Sequence, residues 1–103
     1  MPYRIALRRA AQEDLKALTT AQESRVRQAL PRYLLDQPEV SSAIRRRLDP
    51  NPLGAPWELR LETLRVFYEV DHDAQTVRVL RVGVKPRGTL YLRGAPIDMG
   101  PIL

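Results

Sequence analysis

Between Arg78 and Arg93 the chain carries Arg78, Arg81, Lys85, Arg87 and Arg93 and no acidic residue, while the rest is balanced, so the net charge of +5 is local. A concentrated basic field draws in a polyanion. Arg60 and Arg65 lie in two neighbouring β-type runs just upstream. A sheet pairing those runs with the one that ends near Val84 would gather Arg60, Arg65, Lys85 and Arg87 at one end, with Tyr91 four residues further on. Such a cluster suits phosphodiester chemistry on RNA, in which a 2′-hydroxyl attacks the neighbouring phosphorus and charge builds on the phosphoryl oxygens. Arginine and lysine donors fixed around that charge stabilise it, each worth about 10²- to 10³-fold in rate. Tyrosine can stack on a base or take part in proton transfer. Solvated charges on the open face of a sheet are the plainer reading of the same residues.

A second basic block, Arg45-Arg46-Arg47, can follow RNA phosphates together with Arg81, each neutralised phosphate adding salt dependence to binding. Arg25, Arg27 and Arg32 put positive charge on a helical surface that suits an acidic segment folding on contact. Other chemistries are poorly provided for. The chain has no cysteine and one histidine, which excludes disulfides and thiolate catalysis and leaves no ordinary metal site, so neither metal nor cofactor is expected. That histidine, His72, falls in the turn Asp71-His72-Asp73 and reads as solvated. No apolar run approaches the roughly 20 residues of a membrane span. The start, MPYRIALRRAAQED, turns charged before a signal-like stretch develops, so a cytoplasmic protein that avoids membranes is expected.

The elements that must position these residues follow from periodicity. With 103 residues, 44% hydrophobic and 28% charged, the chain suits one folded core. Tyr3 to Leu7 reads as a short strand, and Arg9 to Leu18 puts Ala11, Leu15 and Leu18 on one helical stripe. Thr20-Ala21-Gln22-Glu23 fits a capping box opening a second helix, whose buried stripe is Val26, Ala29, Leu30, Tyr33 and Leu34 and which Pro31 should kink or restart. Pro38, Pro50, Pro52 and Pro56 mark an irregular connection with one helical turn around Ser42 to Leu48. Trp57 to Leu61 alternates with period two, putting Trp57, Leu59 and Leu61 on one face. Leu64 to Asp71, where Tyr68 shares the parity of Val66 and Val70, and Thr76 to Val84 complete an antiparallel meander.

The expected fold is α+β, a helical hairpin packed on one face of a small twisted antiparallel sheet in the order β-α-α-β-β-β, with the other face open to a partner. A single domain over 1–91 is expected, then a flexible arm over 92–103 whose Ile97, Met99, Ile102 and Leu103 either dock on the sheet or stay loose.

Trp57 to Val70, WELRLETLRVFYEV, followed by Val79 to Tyr91, VLRVGVKPRGTLY, resembles the RelE/ParE superfamily of bacterial toxins, and the element order extends the resemblance to the N-terminus. The resemblance implies the toxin of a toxin–antitoxin module, with a cognate antitoxin as partner. RelE-like members enter the ribosomal A site and cut mRNA without a metal, whereas ParE-like members inhibit DNA gyrase. Arg60, Arg65, Lys85 and Tyr91 fall where RelE-like toxins place phosphate-contacting and catalytic groups, and Arg87 lies on a neighbouring basic position. Glu58 departs from the pattern, standing where such a toxin often has a second lysine. It either replaces that lysine as general base or is an exposed strand residue paired with an arginine. The Pro/Gly-rich tail departs too, since many relatives end in a helix that the antitoxin displaces or replaces. The leading expectation is a ribosome-dependent, metal-independent mRNA endoribonuclease that blocks translation. The alternatives are a ParE-like, non-enzymatic inhibitor of DNA gyrase and a degenerate toxin that only binds its antitoxin.

Overall fold

A computed structural model describes residues 2–100. The elements are β1 (Arg4–Leu7), α1 (Arg9–Lys16), α2 (Thr20–Leu34), β2 (Arg45–Arg47), β3 (Trp57–Leu61), β4 (Leu64–Asp71), β5 (Thr76–Val84), β6 (Leu90–Leu92) and β7 (Ala95–Ile97). Helix α1 is too short to be stable alone and is held by burial of Ala11, Asp14 and Leu15. Helix α2 opens one residue earlier than the sequence suggests. Thr19 is extended and caps, its Oγ1 accepting from the Gln22 N–H at 3.1 Å while the Gln22 side chain accepts from the Thr19 N–H at 3.0 Å. Gln22 therefore closes the box in place of Glu23, which instead pairs with Arg27 one turn on. Pro31 neither restarts nor ends α2. Its missing N–H removes one bond close to the C-terminal end, where packing of Leu30 and Leu34 carries the helix through.

Strands β2-β3-β4-β5-β6-β7 form an antiparallel series, and β1 joins it parallel to β5, so the seven-stranded sheet is mixed. The expected meander is β3, β4 and β5, with Arg60 opposite Arg65, Glu58 opposite Phe67, and Phe67 opposite Arg81. On one face Trp57, Leu59, Leu61, Val66, Tyr68, Val77 and Val79 pack against Leu15, Val26, Leu30 and Leu34 of the helices. Each such side chain contributes about 1.5–3 kcal/mol by leaving water.

The second face is not open, contrary to the sequence expectation. Phe67 is covered there by Ala55 from the 48–56 loop and by Leu90 and Leu92 of β6, with Ile97 and Met99 packed alongside. The flexible arm expected over 92–103 is therefore replaced, over 92–97, by a β6–β7 hairpin. Arg93 (φ 50) and Gly94 (φ 79) form its two-residue turn, the left-handed pair that matches strand twist. Strand β6 crosses closely over β5: a Cβ on Gly83 would lie 2.6 Å from the Tyr91 carbonyl oxygen and 2.7 Å from Leu92 Cδ2. Ile102 and Leu103 lie outside the described residues.

The helical turn expected around Ser42 to Leu48 is instead the edge strand β2. The Arg60 N–H donates to the Ile44 carbonyl and the Leu48 N–H to the Pro56 carbonyl, so the Arg45 amide and carbonyl point outward. Both are taken by Ser42, whose Oγ accepts from the Arg45 N–H at 3.1 Å and whose N–H donates to the Arg45 carbonyl at 2.8 Å. At the opposite end β7 carries Pro96, next to the closing pair Leu92 and Ala95. Among the described residues no helix is long and apolar enough to cross a membrane.

Candidate functional site

Antiparallel register sorts the basic residues by face. Arg46 stands opposite Glu58 on β3, while Arg45 and Arg47 stand opposite Leu59 and Trp57 and so turn toward the helical layer. Arg46, Glu58, Arg60 and Lys85 consequently line one pocket of about 290 Å³, walled by Phe67, Leu90 and Met99 and by the 48–51 segment. That segment is shaped by the buried Asn51, whose amide donates to the Asp49 and Ala55 carbonyls, both at 2.8 Å, and whose Oδ1 accepts from the Leu53 N–H at 3.0 Å. Lys85 reaches the pocket because its own N–H donates to the Thr63 carbonyl at 2.6 Å, tying the end of β5 to the β3–β4 turn.

Glu58 is buried, not exposed. Its Oε1 accepts from Arg60 Nε at 3.0 Å, and its Oε2 lies 3.9 Å from Arg65 Nε. Arg65 donates through Nη1 to the Glu62 and Leu64 carbonyls at 2.6 and 2.8 Å, while its buried Nε has no hydrogen-bond partner among the described residues. Burial lowers the Arg65 pKa, Glu58 opposes that shift and Arg60 adds to it. Arg65 is thus a support beneath the pocket wall more than a free donor.

The five cations of the 78–93 segment do not form one surface. Arg78 is held by Glu69 at 3.0 Å and Asp71 at 2.9 Å. Arg81, expected to contact RNA, turns to the helical side, where its Nε and Nη2 donate to the two Asp14 carboxylate oxygens at 2.7 and 3.0 Å. This hydrogen bonding raises the Arg81 pKa against the opposing pull of burial. Arg93 donates to the same carboxylate at 2.9 Å and to Glu13 at 3.1 Å. The Val82 N–H, beside the β4–β5 bulge, donates to Asp14 at 3.0 Å. Sequence reading missed Asp14. The signal was present: Asp14 is three residues after Ala11 and one before Leu15, a carboxylate within an apolar stripe.

Lys85 stays in the pocket and Arg87 is exposed just beyond it. Tyr91 separates from them: alternation on β6 buries Leu90 and Leu92 and turns Tyr91 outward, beside Leu18, Gln22 and Pro86 in a different pocket. Of the Arg45–Arg47 triplet only Arg46 joins the site. Arg45 ties the chain down through the Val40 and Tyr33 carbonyls, and Arg47 covers the Trp57 ring at 5.8 Å. On α2, Arg25 is paired with Glu62 and Arg27 with Glu23, while Arg32 lies over the Tyr33 ring. His72, in the exposed turn expected for it, meets Glu39 at 2.7 Å.

A helical hairpin on a twisted, largely antiparallel sheet is the fold this chain shares with solved toxins of the RelE/ParE superfamily. The chain is similar to one in the RelBE2 toxin–antitoxin complex of Mycobacterium tuberculosis, with 25% identity, a TM-score of 0.65, and 82% of this chain and 100% of that one covered. A mutant Escherichia coli RelE in the free state shares the fold at 20% identity and TM-score 0.63, over 82% of this chain and 84% of that one. So does a chain of the archaeal RelE–RelB complex of Pyrococcus horikoshii, at 22% identity and TM-score 0.55, over 84% and 99%. Residues 5–85 match the family described as the ParE toxin of type II toxin-antitoxin system, parDE, and the protein belongs to that family. No curated protein matches the chain.

Proposed function

We propose that this toxin is neutralised by a cognate antitoxin and acts as a ribosome-dependent, metal-independent endoribonuclease on mRNA. One observation carries the reading: cations from three separate segments, Arg46 of β2, Arg60 of β3 and Lys85 after β5, meet in one pocket beside the carboxylate of Glu58. In the reaction the 2′-oxygen bonds to phosphorus while the bond to the 5′-oxygen breaks. Glu58 takes the 2′-hydroxyl proton, and the leaving oxygen takes one from water. Arg46, Arg60 and Lys85 stabilise the charge on the phosphoryl oxygens. Tyr91, facing away from the pocket, leaves proton transfer to Glu58 in this scheme.

Inhibition of DNA gyrase is the second reading, favoured by membership of the ParE family and by the separation of Tyr91 from the basic pocket. A translating extract with a defined message separates the two, with 5′ ends mapped by primer extension and with naked RNA and Lys85→Ala as controls. Cuts that require ribosomes and disappear in the variant support the ribonuclease. Intact message together with inhibited gyrase supercoiling supports the second reading.

A further inference from the structure

Arg60 and Arg65 stand directly opposite each other on β3 and β4, a like-charge cross-strand pair that is unfavourable without an anion nearby. Glu58 supplies that anion. It is two residues along β3 on the same face, buried, bonded to Arg60 Nε at 3.0 Å and 3.9 Å from the unpartnered Nε of Arg65. Lys85 and Arg46, in the same pocket, have no carboxylate within ion-pair distance among the described residues. The pocket thus holds two kinds of cation, one already neutralised from within and one available to a ligand.

Resting on the phosphodiester reading above, we propose that Glu58 is a resident counter-anion: in the free protein it holds the Arg60–Arg65 pair together, and an entering phosphodiester must compete with it for Arg60. Glu58 then weakens binding of the very group the pocket attracts. Its carboxylate repels the phosphate, and at an effective dielectric of about 20 a like charge a few ångströms away is worth at least a tenfold change in affinity. Arg60 contributes little to binding while Glu58 is present and much more once it is gone, whereas Lys85 contributes in both cases.

The test uses a short single-stranded deoxyoligonucleotide, which carries phosphodiesters but no 2′-hydroxyl and so is bound without being cut. Affinity is measured by fluorescence anisotropy at fixed low salt for the wild-type chain, Glu58→Gln, Arg60→Gln, Lys85→Gln and the Glu58→Gln, Arg60→Gln double variant, each checked for folding by circular dichroism. Glu58→Gln is expected to bind about tenfold more tightly. Arg60→Gln is expected to weaken binding less than about threefold alone and about tenfold in the Glu58→Gln background. Equal or weaker binding by Glu58→Gln overturns the proposal. If Glu58→Gln does not fold, the singles decide: Lys85→Gln must weaken binding more than Arg60→Gln, and the reverse order overturns it. Binding unchanged in Lys85→Gln removes the phosphodiester reading of the pocket itself, and the proposal with it. Tighter binding by Glu58→Gln combined with message left uncut by the wild-type chain in a translating extract leaves Glu58 as counter-anion and removes only the ribonuclease step.

Discussion

Replacing Asp14 by asparagine keeps the shape of the side chain and removes its charge. The native carboxylate accepts four hydrogen bonds, two from Arg81 and one each from Arg93 and the Val82 amide, and it is fully buried. An asparagine amide presents two donors where one of those oxygens stood, so it faces guanidinium or backbone N–H groups with N–H groups of its own. Removing one partner of a buried ion pair costs about 3–5 kcal/mol, and an orphaned buried amide about 1–3 kcal/mol more. The Arg81 and Arg93 side chains are 25% and 42% exposed, so water recovers part of this. A net loss of about 3 kcal/mol is expected, which at a urea slope of about 1.5 kcal/mol/M lowers the midpoint by about 2 M. Trp57 fluorescence reports the transition. Hydrogen exchange should show amides of 81–93 opening before those of β4, because Asp14 grips that segment at both ends. A midpoint within about 0.5 M of wild type, with the slope unchanged, would refute the reasoning: it would mean that burying the carboxylate costs as much as its four bonds return.

Thr19→Ala should cost about 1 kcal/mol and Thr20→Ala only a few tenths in thermal or urea unfolding, since Thr19 is the residue whose hydroxyl caps α2; the opposite order would restore the register read from the sequence. Gly83→Ala should cost on the order of 2–3 kcal/mol, because the new methyl meets the Tyr91 carbonyl; hydrogen exchange should then rise in β6 and β7 while α2 stays protected. The Ala74 N–H, followed by Arg78, holds the Asp71 carboxyl below the ordinary aspartate range. Its stabilisation is therefore present above the unfolded-state pKa and lost as pH falls through the depressed folded value, so Asp71→Asn should flatten the acid limb of stability against pH, and an unchanged limb would exclude this contribution.

What could be read from the sequence, and what could not, follows from the range of each interaction. The meander was legible because Trp57, Leu59, Leu61, Val66 and Tyr68 bury one face against helices, and burial writes period two into the residues. β2 was not, because Arg45-Arg46-Arg47 has no apolar alternation and owes its strand form to β3 and to the ties Arg45 makes to Val40 and Tyr33. The β6–β7 hairpin was hidden by Pro96 and by two glycines that suggested looseness. Its usable signal was Arg93-Gly94 between Leu92 and Ala95, a two-residue turn flanked by apolar residues. Part of the candidate site emerged as expected, with Arg60 and Lys85 in one pocket. The basic surface did not survive as counted, since Arg81 and Arg93 find their carboxylate 67 and 79 positions away, where no local tally of charge reaches. Tyr91, expected beside the basic cluster, lies apart from it for a similar reason: its facing depends on which side of β6 packs on Phe67.

The two ends of the sheet bear on how such a toxin persists in solution. An uncovered strand edge is a template on which a second copy can add, and the usual defences are charge, proline and short length. β2 has all but the proline: it is three residues of arginine, and Ser42 already occupies the outward amide and carbonyl of Arg45. β7 is equally short and has Pro96 where a donor would otherwise face outward. Neither of these two edges, β2 or β7, therefore invites strand-to-strand growth by a second copy, even with no protein bound to it.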